Sequence, residues 1–315
     1  MIAPSIHRFF PRPLAPRIKV SYPKAMTICI AAACEHDKKP AIVTATDWKI
    51  TTGTAGAEVL DKLRWLGNGW GALIAGNNIA NALLLVDRLT KLFWKAPPLK
   101  MKIRDEVHRV LNEGKSALID SYVESLYGHD YDWFLSKGRE GLPSDIYLRH
   151  SEAISNLKFD AELIICGFSE SVPLILSFNE SMPPYVWSQP NFAVAGSGSE
   201  AAWQSLCFRE HRAPEISLMQ AIYNVWEAKV LGETASDVGD LTSIEVMFSD
   251  GTVKSLSDAG HDFCDSKLFP KFGPKMIDIK ENSGHAKLFT FRDDYLEDFE
   301  YDWDNPTPKA PPSPQ

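Results

Sequence analysis

The chain has 315 residues, 44% of them apolar and 23% charged, an ordinary globular composition with room for one large domain or two small ones. Its net charge of -8 and sequence pI near 5.5 argue against a nucleic-acid or anionic-membrane surface, both of which require a basic face. The five cysteines (Cys29, Cys34, Cys166, Cys207, Cys264) are scattered, with no C-x-x-C or H-x-x-x-H pair and no apolar run of membrane-spanning length. They read as small buried thiols of a reducing cytosol, so a cytoplasmic protein without metal, cofactor or disulfide framework is expected.

Residues 1–26 carry Arg8, Arg12, Arg17, Lys19 and Lys24, no acid, and repeated prolines. Phe9-Phe10-Pro11-Arg12 interrupts any apolar signal core. Three readings stand open: a disordered leader, a propeptide, or sequence upstream of the true start. Removing Met26 would leave Thr27 as the N-terminus.

From Thr27 to Gly76 the chain reads as four short strands joined by tight turns. Ala41–Asp47 is β-rich and ends on an acid, after the polar turn His36-Asp37-Lys38-Lys39. Asn68-Gly69 is a two-residue hairpin signal between Leu63–Leu66 and Trp70–Ala75. Four residues with chemical potential, Thr27, Asp47, Lys62 and Gly76, follow at intervals of 20, 15 and 14 residues. Strand alternation puts Leu60, Lys62 and Arg64 on one face, so Lys62 can project into a cleft with an apolar rear wall. A lysine pointing inward needs an anionic partner, because burying it alone costs several kcal/mol; Asp47 is the natural one. The blander readings are a structural β-former at Thr27, a solvated edge at Lys62 and a simple bend at Gly76.

Helical spacing marks Asn77–Trp94, ended by Pro97-Pro98, and then residues 101–127. Residues 128–158, mixed and aromatic, read as an insertion with one short helix. Strands are expected at Ala161–Phe168, Leu174–Phe178, Tyr185–Ser188 and Phe192–Ala195. Helices follow near Glu200–His211 and Ile216–Leu231, then a hairpin over Ser243–Ser255 turning at Asp250-Gly251. This order predicts an α+β fold with two antiparallel sheets covered by helix layers, a single domain over residues 27–256. Residues 257–315 form an extension. Within it, 293–304 hold seven acids interleaved with aromatics, and a Pro-rich end expected to be disordered follows. That segment reads either as a solubilising tail or as a docking segment.

Thr27-Ile-Cys-Ile-Ala-Ala, Ala45-Thr-Asp47-Trp-Lys-Ile-Thr-Thr-Gly53, Asp61-Lys62-Leu63, Ala72-Leu-Ile-Ala-Gly76 and Ala195-Gly-Ser197-Gly-Ser together resemble a β-type subunit of the proteasome family, which includes the simpler bacterial peptidase rings. The similarity spans roughly residues 27–256. It implies a four-layer αββα sandwich, the N-terminal-nucleophile (Ntn) hydrolase fold, and a threonine peptidase that cleaves polypeptides inside a homo-oligomeric ring or related assembly. By this resemblance Thr27 is the nucleophile and its own α-amine the base, with a reference pKa of about 7.7–8.0. Lys62 tunes that amine, Asp47 orients Lys62, and the Gly76 N–H serves as oxyanion donor. Ser197 matches a serine that hydrogen-bonds around the threonine amine. Glu233 and Ser236 fall where the family has an aspartate and a serine, Glu233 being one methylene longer. Ser197 also reads as turn chemistry, and Glu233 and Ser236 as a helix-end loop. Thr51 would contact the substrate backbone, while Ile50 and Ile74 would wall an apolar specificity pocket. An ATP-dependent unfoldase is an implied partner, though no G-x-x-x-x-G-K-[ST] loop occurs here. Two alternatives belong to other classes. One is a non-catalytic assembly subunit that keeps its leader, since cleavage in the family usually follows glycine and Met26 stands here instead. The other is an Ntn amidase acting on a small molecule.

Overall fold

Alternation at the first strand explains the architecture. In a computed structural model, β1 (Cys29–His36) and β2 (Lys39–Asp47) pair in antiparallel register and bury both faces. Ile28, Ile30, Ala32, Cys34, Val43 and Ala45 enter one apolar cluster, while Cys29, Ala31, Ala33 and Ile42 enter another. A strand with two buried faces must be covered on each. The structure describes residues 27–52, 55–58, 61–76, 78–95, 100, 102–179, 182–187, 191–211, 216–234, 238–239 and 241–274. Residues 1–26, with their three open readings, and the acidic, Pro-rich tail therefore lie outside the described residues.

The remaining strands are β3 (Lys49–Thr52), β4 (Ala55–Glu58), β5 (Leu63–Gly67), β6 (Trp70–Gly76), β7 (Ala161–Ser169), β8 (Val172–Asn179), β9 (Met182–Val186), β10 (Phe192–Ala195), β11 (Thr242–Phe248) and β12 (Val253–Ser255). They form two five-stranded antiparallel sheets, ordered β10-β1-β2-β11-β12 and β5-β6-β7-β8-β9, and β3 pairs with β4 alone. The expected four strands between Thr27 and Gly76 are thus six, the extra pair being the β3–β4 hairpin. Three hairpins turn on two left-handed residues: Asp37-Lys38, Asn68-Gly69 and Glu170-Ser171. Paired positive φ values match the right-handed strand twist.

Helices α1 (Ile79–Lys95) and α2 (Ile103–Tyr127) cover one sheet, through Ala82, Leu85, Leu89, Phe93, Val107 and Leu111 against Leu66, Trp70, Leu163 and Leu176. Gly114 lets them approach closely, since a methyl there would stand 2.6 Å from Leu85. Helices α6 (Ser199–Phe208) and α7 (Leu218–Gly232) cover the other sheet, with Ala202, Leu206, Val225 and Ala228 packed on Ile28, Ile30 and Val43. The third cluster, including Leu73, Ile164, Cys166 and Met247, joins residues of both sheets. The protein is α+β, and its layering is compatible with a sandwich.

Residues 128–158 depart from the expected single short helix. α3 (Tyr131–Trp133), a π-helical turn (Phe134–Gly138) and α4 (Arg139–Gly141) run on continuously, and α5 (Ser144–Ser155) follows. Phe134 and Ile154 bury against Val123 at the end of α2, with Tyr127, Trp133 and Tyr147 around them. This small aromatic core, absent from any periodic pattern, holds the segment helical. After β12 come α8 (Asp258–Phe263), a second π-helical turn (Cys264–Leu268) and α9 (Phe269–Phe272). The chain divides after Lys271, and the second unit, Phe272–Gln315, is described only as far as residue 274.

His211, 1% exposed, ties the helix layer to β1: its Nε2 meets the Ala33 carbonyl at 3.0 Å and its Nδ1 lies 3.3 Å from the Asn224 amide. Those partners require a neutral ring donating from Nε2. Burial lowers the His211 pKa from the ordinary 6.5, with the Ala33 hydrogen bond acting weakly the other way. The unfolded chain therefore binds more protons below pH 6.5, and stability should fall as pH drops through that range. Unfolding curves at pH 7.5 and about 5.5 should separate in the wild type and lie closer together in His211→Gln, the remainder including His261, whose pKa burial also lowers.

Candidate active site

Three buried polar residues meet where β1 begins, β2 ends and β5 begins. Thr27 is 3% exposed, Asp47 0% and Lys62 3%. The Thr27 hydroxyl donates to Asp47 Oδ1 at 2.6 Å, and Lys62 Nζ donates to the same oxygen at 2.7 Å and to Thr27 Oγ1. The Ile28 N–H adds a further bond to Oδ1 at 2.9 Å. Asp47 Oδ2 accepts from the Lys49 N–H at 3.2 Å and the Gly239 N–H at 3.3 Å. The buried carboxylate thus accepts from five donors, and the lysine beside it is held by a partner that cannot turn away. The backbone supports the same arrangement, because the Asp47 N–H donates to the Ile28 carbonyl and the Ile74 N–H to the Lys62 carbonyl.

The main chain of Thr27 is gripped by the loop after β10. Its N–H donates to Ser197 Oγ at 3.0 Å, while the Gly198 N–H and the Ser197 hydroxyl donate to its carbonyl at 3.3 and 3.4 Å. Gly196 has φ +92°, and a methyl on it would stand 2.2 Å from that carbonyl oxygen. Its N–H is capped by Glu162 Oε2 at 2.8 Å. We expect Gly196→Ala to destabilise more than Gly251→Ala, where φ is +86° but nothing lies within 4 Å of the added methyl. The exposed control should show only backbone strain of about 1–3 kcal/mol, and chemical denaturation of both variants measures the difference.

The remaining expected residues are spread more widely. Gly76 ends β6 opposite Ala161 with φ +113°, and a methyl there would reach 2.6 Å from the Asp160 carbonyl oxygen, so glycine is required for conformation and space. Ile74 is 2% exposed and packs in the cluster beneath α1 and α2. Ile50 and Thr51 lie on β3, paired with Ala57 and Gly56, their side chains outside the description. Ser236 is outside the described residues. Glu233 caps the end of α7 and ion-pairs with Lys229, which also donates to the Gly239 carbonyl at 2.9 Å.

Sequence reasoning did not single out Glu162, Lys229 or Gly239. The signal for the first two was charge within an apolar run: one acid in Ala161-Glu-Leu-Ile-Ile, and Glu227 with Lys229 in Val225-Trp-Glu-Ala-Lys229-Val. Gly239 carries no such mark. Nearby Cys29 is no rival nucleophile: burial pushes its thiol pKa well up, outweighing the Lys62 cation. Among the described residues no helix is long and apolar enough to cross a membrane, and no group of three His, Cys, Asp or Glu side chains is placed to hold a metal.

A hydroxyl between a lysine and a carboxylate can be deprotonated and can attack a carbonyl carbon. No family model matches the chain, and no curated protein matches it significantly.

Proposed function

We propose that this protein is a threonine-type peptidase with an Ntn-hydrolase fold, resembling proteasome β-type subunits and working in the cytoplasm as a self-compartmentalising homo-oligomer, with an ATP-dependent unfoldase as its supplier of unfolded polypeptide. The observation that carries this reading is the convergence of Thr27, Asp47 and Lys62, far apart in sequence, on one buried hydrogen-bonded cluster. The layered pair of antiparallel sheets supports it.

Freed of residue 26, the Thr27 nitrogen would be an amine beside Ser197 Oγ. The threonine oxygen attacks the peptide carbonyl carbon and its proton passes to that amine. The resulting oxyanion is met by the Gly76 N–H, one donor of this kind being worth about 2.7–4 kcal/mol. The departing amine takes that proton back from the Thr27 ammonium, and water then hydrolyses the threonyl ester with the Thr27 amine as base. Lys62 keeps positive charge beside the reacting oxygen, and Asp47 fixes where that charge stands. Thr51 would align the substrate as an added strand.

One observation favours a non-catalytic assembly subunit instead. With the preceding chain attached, Thr27 is 3% exposed and its oxygen is engaged by both neighbours. Two preparations decide between the readings: a chain beginning at Thr27 and one keeping residues 1–26. Fluorogenic-peptide turnover by the first alone supports the peptidase, and silence in both leaves the assembly subunit.

A further inference from the structure

We propose that Lys229 and Glu233 are positioning residues for the Asp47 carboxylate, acting through the two peptide groups of Gly239. Lys229 is fully buried on α7, a helix that also buries Val225 and Ala228, and beside them Asn224 and Glu227. A buried lysine there carries a desolvation cost that a methionine or leucine would avoid. Its ammonium pairs with Glu233, one helical turn on, and donates to the Gly239 carbonyl at 2.9 Å. The N–H of that same glycine donates to Asp47 Oδ2 at 3.3 Å.

Geometry gives this link a specific task. Asp47 Oδ1 serves Thr27, Lys62 and the Ile28 N–H, so rotation of the carboxylate would break all three bonds together. Oδ2 has two donors to resist rotation. Lys49 lies two residues along the same chain and moves with Asp47. Gly239 belongs to a segment 192 residues away and is an anchor from outside. Glycine has the loosest backbone of any residue, so an untied Gly239 would hold nothing still. Lys229 fixes the peptide plane after it while Asp47 engages the one before it. Glu233, 27% exposed, keeps the ammonium aimed along α7. Burial lowers the pKa of His261 on α8, Asp258 raises it, the Lys229 charge lowers it further and Asp262 raises it. The catalytic meaning of the link rests on the function proposed above; its existence does not.

Glycine-selective 15N labelling tests the link without substrate, the Gly239 amide being assigned by its loss in Gly239→Ala. In Asp47→Asn that amide proton should move upfield as its charged acceptor disappears. Lys229→Met should move it in the same direction, and the double variant should add little to either single change. Glu233→Gln keeps the lysine and should give a smaller shift of the same sign, which serves if Lys229→Met does not fold. A Gly239 amide that responds to Asp47→Asn but to neither helix variant overturns the proposal. In a preparation that cleaves peptides, Lys229→Met should lower kcat about tenfold with KM unchanged, and an equal loss through KM would also overturn it. If no preparation cleaves peptides, the resonance shifts still decide the link, and only the peptidase reading falls.

Discussion

Lys62→Met should lower the unfolding free energy by about 3 kcal/mol, the lower end of the 3–5 kcal/mol typical when one partner of a buried ion pair is removed. Asp47 is fully buried, so its charge cannot turn to water when the ammonium is gone. The cost stays at the lower end because the Thr27 hydroxyl and the N–H groups of Ile28, Lys49 and Gly239 still reach the carboxylate. Asp47→Asn/Lys62→Met should recover part of that loss, since no buried charge remains, although the single amide oxygen can accept either from Ile28 or from Lys49 and Gly239 but not from all three. Denaturant unfolding of the wild type, both single variants and the double measures the coupling. A double variant no more stable than Lys62→Met would mean that the pair is not the unit we describe.

The second large effect concerns turnover. On the proposed reading, Thr27→Ala removes the attacking oxygen while leaving Asp47 and Lys62 paired at 2.7 Å, so the fold should persist and peptide hydrolysis should fall by more than about 10³-fold. Thr27→Ser keeps the oxygen but loses the methyl that restricts χ1. It should retain a measurable fraction of kcat with KM little changed. Initial rates with a fluorogenic peptide separate the three proteins. Full activity in Thr27→Ala would require another nucleophile, and the protonated, buried Cys29 is a poor candidate.

Much of the layering could be read from alternation alone. Ile28, Ile30 and Ala32 against Cys29 and Ala31 already describe a strand with two buried faces, and Asn68-Gly69 marks its own turn. The pairing of Lys62 with Asp47 follows from what an inward lysine costs without a counter-charge. Other features leave weaker traces. Glu170-Ser171 turns a hairpin with left-handed φ values although neither residue is glycine or asparagine, because the β7–β8 register leaves two residues to close it. The β3–β4 hairpin, Lys49–Thr52 with Ala55–Glu58, has no apolar alternation to reveal it. Residues 131–155 are held helical by aromatic contacts to Val123, a tertiary effect that no local window contains. Lys229 and Gly239 become visible as partners of the site only once α7 and β2 are placed side by side in space. Ile74 shows the reverse problem: a strand residue beside a presumed cleft can face either side, and here it faces the helices.

The central claim is that a hydroxyl and a free amine on residue 27 act together. A peptide epoxyketone tests it directly, because ring closure on its ketone and epoxide carbons consumes one hydroxyl and one amine from the same residue. After incubation, intact-mass and fragment spectra should place a single adduct on a chain that begins at Thr27, with no adduct on Thr27→Ala. A protein that cleaves peptides while retaining residues before Thr27, or one that begins at Thr27 and stays unmodified, would contradict the account.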